Sequence, residues 1–133
     1  MKAIIIDATN ATFGRLASFA AKQALLGKSV TIVNCKQAII TGNRATIMRE
    51  FKIMRNRGGA SQNGPIYPTN PERILKRAIR GMLPYKQGRG ADAFDKIRCY
   101  NTTPKEFEAA KKIHAGKEKM GSKTTLKEVA DQL

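Results

Sequence analysis

The sequence predicts an α/β domain built on a parallel sheet, and three observations carry that expectation. Consecutive β-branched residues, Ile4, Ile5 and Ile6, read as a short buried strand over Ala3 to Asp7. A helix with a stripe of small residues follows it. A second apolar strand then returns within about thirty residues, the spacing of a βαβ unit whose strands run parallel with a right-handed crossover. At 133 residues the chain fits one domain, 1–133, with a core over about 1–101 and a C-terminal helical extension over about 102–133.

The elements follow in order. Asn10, Ala11 and Thr12 turn the chain into a helix of about Phe13 to Leu26, stopped by Gly27. Phe13, Ala17, Ala20 and Ala24 share its inner face, while Arg15 and Lys22 project from the other side. Val30 to Asn34 reads as the second strand and Ala38 to Ile40 as a short third one. Thr41-Gly42-Asn43 leads into a helix of about Arg44 to Arg55. Ile47, Met48, Phe51 and Met54 form its buried face and Arg49 and Lys52 turn away. From Arg55 to Asn70 the chain is irregular and rich in Gly, Asn, Ser, Gln and Pro, long for a loop in so small a domain.

Asn70-Pro71-Glu72 is a strong helix start, with Asn as cap, Pro in the first turn and an acid at the positive end of the dipole. The helix it opens, Pro71 to about Leu83, places Ile74, Leu75, Ala78, Ile79 and Met82 on one face and Arg73, Lys76, Arg77 and Arg80 on the other. Pro84 ends it, and Tyr85 to Gly90 reads as a second basic loop. Ile97 to Tyr100 reads as the last strand. Capping-box patterns at Thr103-Pro104-Lys105-Glu106 and Thr125-Leu126-Lys127-Glu128 predict two short C-terminal helices.

Charge is the loudest feature: 25 Lys plus Arg against 10 Asp plus Glu, a net +15. It is unevenly placed. From Ala8 to Ala91 fifteen basic residues meet two acidic ones, Glu50 and Glu72, whereas from Asp92 to Leu133 the count is nine against seven. A surface selected for solubility alone intersperses the signs. A one-sign block over two thirds of the chain points to a polyanion. Four cations within two turns of one helix repel one another, so a contact to phosphate explains the Arg73, Lys76, Arg77, Arg80 face better than plain solvation does. Arg55, Arg57, Lys86 and Arg89 stand among glycines, which let backbone approach phosphate and follow irregular RNA. Tyr67 and Tyr85 are candidates to stack on a base, though a single aromatic more often sits as an amphipathic boundary residue.

Enzyme chemistry is thin. The first βα turn, Asp7 to Gly14, lacks the later glycines of a dinucleotide fingerprint, and there is no Gly-Lys-Ser/Thr phosphate loop. His114 is the one histidine, placed in a Lys-rich helical end with no partner to make it a base. Asp7 at the end of a strand occupies a place where α/β enzymes put carboxylates, yet a buried acid there commonly caps the next turn, and that structural role is preferred. Cys35 and Cys99 lie far apart in sequence without a CxxC partner, which excludes a zinc ribbon and a disulfide framework and suggests two reduced thiols in a cytosolic protein. The start is too short for a signal peptide and no apolar run approaches membrane-spanning length, so the chain is expected to stay where it is made, with no membrane partner, small-molecule substrate, metal or cofactor. Two rival readings remain: an α/β enzyme acting on a nucleotide or nucleic acid, and a regulatory RNA-binding module.

Several segments resemble a known family. Gly14-Arg15-Leu16-Ala17-Ser18, Val33-Asn34 followed by Ile40-Thr41-Gly42-Asn43, and above all Pro71-Glu72-Arg73-Ile74 leading to Arg80-Gly81-Met82-Leu83-Pro84, resemble the universal large-subunit ribosomal protein thirteen. Arg98 to Tyr100 is similar to that family's last strand, and the match runs in order from about Asp7 to Tyr100. The sequence opens at the first strand without the bacterial N-terminal arm, lacks the histidine-containing segment of many bacterial members, and continues into Glu- and Lys-rich helices, as in the archaeal and eukaryotic branch. The resemblance implies a three-layer α/β/α domain around a four-stranded parallel sheet. It also implies a non-enzymatic, cytoplasmic role in the large ribosomal subunit: binding large-subunit ribosomal RNA, supporting subunit assembly and meeting neighbouring ribosomal proteins. It places Arg15, Arg44, Arg80 and the segment around Arg89 in family motifs.

Overall fold

The run of isoleucines does form a strand, β1 (Ala3–Asp7), followed by α1 (Phe13–Leu25) and β2 (Ser29–Val33). The computed structural model describes residues 3–41, 43–56, 69–108, 112–114 and 123–131. After β2 come β3 (Ile39–Thr41), α2 (Arg44–Asn56), α3 (Pro71–Gly81), α4 (Gly88–Asp95) and β4 (Ile97–Cys99). The two-residue β5 (Ile113–His114), β6 (Lys123–Thr125) and α5 (Leu126–Asp131) complete the described chain.

The architecture is mixed α/β with a parallel sheet. β1 and β2 pair parallel from Ala3↔Ser29 to Asp7↔Val33, and β4 joins the other edge of β2, also parallel, with Val30↔Ile97 and Ile32↔Cys99. Three of the four anticipated strands therefore enter the sheet. The anticipated third strand does not: β3 pairs antiparallel with β6 in a separate two-stranded ribbon. The cause is local. Asn34 takes a left-handed conformation, φ 59°, and Cys35–Gln37 form one 3-10 turn, so the chain has left the sheet before Ile39. The edge of β2 open to it is filled by β4, and β5 pairs parallel with β1 through Ile6↔Ile113. His114 thus lies on a strand and not at a helical end.

Residues that align across a parallel ladder share a face. Ile6, Val30, Ile32 and Ile97 are fully buried and pack with Leu16, Ala17, Ala20 and Ala24 of α1 and Ile74, Leu75 and Ile79 of α3. The alanine stripe lets α1 lie close, and α1 also packs against α3 and α4. Leu16 anchors α1 more deeply than Phe13, which is half-buried. Gly27, at φ +94°, supplies the left-handed stop that only glycine adopts without strain.

Two further segments differ from their expected form. Tyr85 to Gly90 is not wholly a loop, because Gly88–Asp95 is helical despite two glycines. Tertiary packing overrides the weak propensity: Gly90 is buried against the carbonyl of Pro84, where a Cβ would collide with backbone. Of the two capping boxes, Thr125 does cap α5, its Oγ1 accepting from Glu128 N–H at 3.3 Å. Thr103 instead donates its hydroxyl to Asn34 Oδ1 at 3.1 Å, and among the described residues that follow there is a 3-10 turn, Lys105–Phe107. Among the described residues, no helix is long and apolar enough to cross a membrane.

Candidate nucleic-acid interface

α3 positions the basic face. Asn70 caps it as expected, its Oδ1 accepting from Glu72 N–H at 3.2 Å, and Asn101 Oδ1 takes the same donor at 3.0 Å. Asn101 Nδ2 donates to Asn70 Oδ1 at 2.8 Å, tying the helix start to the segment after β4. With Ile74, Leu75 and Ile79 locked in the core, Arg73, Lys76, Arg77 and Arg80 must project from the other side.

Aromatic rings steady two of these cations. Lys76 Nζ lies 5.0 Å from the Phe94 ring centre, and the Arg80 guanidinium lies 4.9 Å from that of Tyr85. Contacts of this kind contribute about 0.5–1 kcal/mol each at exposed positions. Tyr85, a stacking candidate from the sequence, is here a platform for Arg80 and remains 40% exposed.

Two open grooves flank the helix and share Arg73 and Lys76 as a wall. The larger, about 280 Å³, is lined by Arg73, Lys76, Arg77, Arg80 and Phe94. The smaller, about 170 Å³, is lined by Glu72, Arg73, Lys76, Arg98, Cys99 and Tyr100. The sheet edge β4 thereby adds a cation, Arg98, that the charge pattern of α3 alone does not reveal. Its signal is faint but present: a lone arginine between Ile97 and Cys99 on an edge strand. Phe94 is likewise missed by sequence, since α4 reads there as loop and strand lead-in.

The other nominated cations are dispersed. Arg15 and Lys22 are exposed on α1, Arg49 and Lys52 on α2, and Lys86 and Arg89 at the α3–α4 junction and the start of α4. Arg44, at the start of α2, pairs with Glu128 of α5 at 3.4 Å, an exposed ion pair that holds the C-terminal helix beside α2 at small net gain. Arg55 falls in the last turn of α2. Arg57 and Tyr67 lie outside the described residues.

The carboxylate at the sheet end is used structurally. Asp7 Oδ1 accepts from Thr9 N–H at 3.0 Å, Thr9 Oγ1 at 2.7 Å and Asn34 Nδ2 at 3.1 Å, capping the turn into α1. Among the described residues no group of three metal-binding side chains converges. The surface is an electropositive ridge with shallow grooves and aromatic supports, complementary in charge to phosphates.

A sequence profile of the family "Ribosomal protein L13" matches residues 1–106. The chain belongs to that family. Its curated relatives include Large ribosomal subunit protein uL13 of Methanococcoides burtonii, 45% identical over 106 residues that span 80% of this chain and 76% of the relative. The protein of the same name from Methanosarcina barkeri is 46% identical over 110 residues, 82% of this chain and 78% of the relative. That of Natronomonas pharaonis is 46% identical over 103 residues, 77% and 70%. These archaeal relatives agree with the branch inferred from the sequence. The L13 family comprises ribosomal proteins and not enzymes, which removes the nucleotide-enzyme alternative.

Proposed function

We propose that this chain is a structural constituent of the large ribosomal subunit in the cytoplasm, binding and stabilising large-subunit ribosomal RNA and supporting subunit assembly. The observation that carries the RNA contact is the α3 ridge: Arg73, Lys76, Arg77 and Arg80, joined by Arg98 across shared grooves. Cations spaced along a helix and a strand edge suit a backbone of phosphates, and groove walls of Phe94 and Tyr100 offer apolar surface to an unpaired base. Arg15, Lys22, Arg49, Lys52, Lys86 and Arg89 widen the electropositive surface, and neighbouring ribosomal proteins are its further partners. The three-layer α/β/α arrangement implied by the family is part of the same reading. Val33, on the face of β2 opposite Val30 and Ile32, is fully buried, which supports a second covering layer there.

Sedimentation of native cell lysate, probed for this chain, tests the assignment. Stoichiometric migration with the large subunit that survives a high-salt wash is the expected result. Recovery mainly at the top of the gradient would refute it.

A further inference from the structure

Cys35 and Cys99 are remote in sequence, yet the fold brings them together. In the β2–β4 ladder Cys99 aligns with Ile32, and Tyr100 N–H donates to the Ile32 carbonyl at 2.8 Å. The left-handed Asn34 then folds the chain back, so that Cys35 N–H donates to the Tyr100 carbonyl at 3.0 Å and Cys35 Sγ lies 3.7 Å from the Ile32 carbonyl. Both residues are free thiols, and the Cys35 N–H bond to the Tyr100 carbonyl sets Cys35 beside the residue that follows Cys99. Their access differs. Cys35 is fully buried, while Cys99 is half-buried and forms part of the groove lined by Arg73, Lys76 and Arg98.

We infer that Cys35 and Cys99 form a dithiol modification site, converted by two-electron oxidants of the peroxide class to an intramolecular disulfide and restored by thiol reductants. The order of steps follows from access. The Cys99 sulfur attacks one peroxide oxygen, the O–O bond breaks, and Cys99 sulfenic acid and one water result. The Cys35 sulfur then attacks the Cys99 sulfur, the S–O bond breaks, and the departing hydroxide takes the Cys35 proton as a second water. Two electrons pass from the sulfur pair to the peroxide, and no further reagent is required. Interaction with the Cys99 side chain, together with burial, pushes the Cys35 thiol well above its ordinary range, which makes Cys35 the poorer first nucleophile. The bond would tie the end of β2 to β4 across the segment that contains α2, α3 and α4.

The test uses the full chain, reduced, freed of reductant and treated with hydrogen peroxide. It is then denatured in N-ethylmaleimide and mapped by mass. The expected product has lost two hydrogens, takes up no maleimide, yields a linked Cys35–Cys99 peptide and reverts with dithiothreitol. It should form at least about tenfold faster in the folded chain than in urea, because the fold holds the sulfurs together. In Cys35→Ser, Cys99 should stop as a dimedone-reactive sulfenic acid. A wild-type chain whose Cys99 accumulates sulfenic or sulfinic acid while Cys35 still alkylates would overturn the inference. So would linkage only between chains, or equal rates folded and in urea, and those comparisons do not require the variant to fold.

Discussion

Removing Arg73, Lys76 and Arg98 together, as Arg73→Gln, Lys76→Gln and Arg98→Gln, strips the cations from the smaller groove and leaves Arg77 and Arg80 on the larger one. Each phosphate neutralised by a cation releases condensed counterions, so log affinity falls linearly with log salt, with a slope near −0.7 per contact on single strands and −0.9 on duplex. If all five cations touch phosphate, they contribute a slope of about −3.5 to −4.5, and a fourfold rise in salt weakens binding by roughly 10² to 10³ through them alone. The triple variant retains two, a slope of about −1.4 to −1.8, and the same rise costs it about tenfold. Fluorescence anisotropy with a large-subunit RNA fragment, at salt stepped from 50 to 200 mM, measures both slopes. The difference should be about 2 to 3, independent of contacts elsewhere on the protein. Lys76 also supports the Phe94 ring, so thermal melts of the variant must first show an intact fold. A variant that binds more weakly but keeps the wild-type slope would refute the reasoning, because its lost affinity would not come from phosphate neutralisation.

Other perturbations test the packing. Gly90→Ala drives a methyl group into the Pro84 carbonyl, and chemical denaturation should record a loss of about 1–3 kcal/mol, with α4 shifted or frayed. Thr124 is 1% exposed, and its Oγ1 has no hydrogen-bond partner among the described residues. Thr124→Val, which keeps the shape and removes the stranded hydroxyl, should therefore stabilise by about 1 kcal/mol in the same assay. The raised Cys35 thiol gives a pH dependence of definite sign. The folded state keeps its proton where the unfolded state gives it up, so this contribution is complete below about pH 8.5 and is lost as pH rises further, at up to about 1.4 kcal/mol per pH unit. Urea midpoints from pH 7 to 10 should fall more steeply for wild type than for Cys35→Ala, and parallel curves would refute the assignment.

Much of the fold is legible because local and tertiary demands agree. At α3, the cap, the early proline and the apolar stripe all specify one helix, and the structure keeps the cap, the proline and the buried Ile74, Leu75 and Ile79, while Met82 lies past the helix end and is exposed. At β3 they do not constrain one another. An apolar tripeptide specifies a strand but not its neighbour, and the decision is made by the left-handed Asn34 and by β4 already holding the edge of β2. α4 is invisible locally because two glycines argue against helix, and its support comes from Pro84 and α1. The site divides the same way. Cations on one helix can be read from spacing, whereas Arg98, Phe94 and the Cys35–Cys99 pair are brought to their neighbours only through strand register and helix docking.

This division bears on why α3 tolerates its charge. Arg73, Lys76, Arg77 and Arg80 repel along the helix, each close pair at i,i+3 or i,i+4 costing a few tenths of a kcal/mol, and Glu72 is the one acid in the first turn. Burial of Ile74, Leu75 and Ile79 offsets that many times over, at about 1.5–3 kcal/mol per side chain. The helix therefore needs no partner in order to form. It can present four cations in a fixed array before any polyanion arrives, with Phe94 and Tyr85 restraining Lys76 and Arg80 and reducing the side-chain entropy still to be lost on contact. Such preorganisation lowers the entropic cost of meeting a polyanion. The nine cations after Ala91 are instead interspersed with seven acids, so that part of the sequence carries no comparable one-sign run.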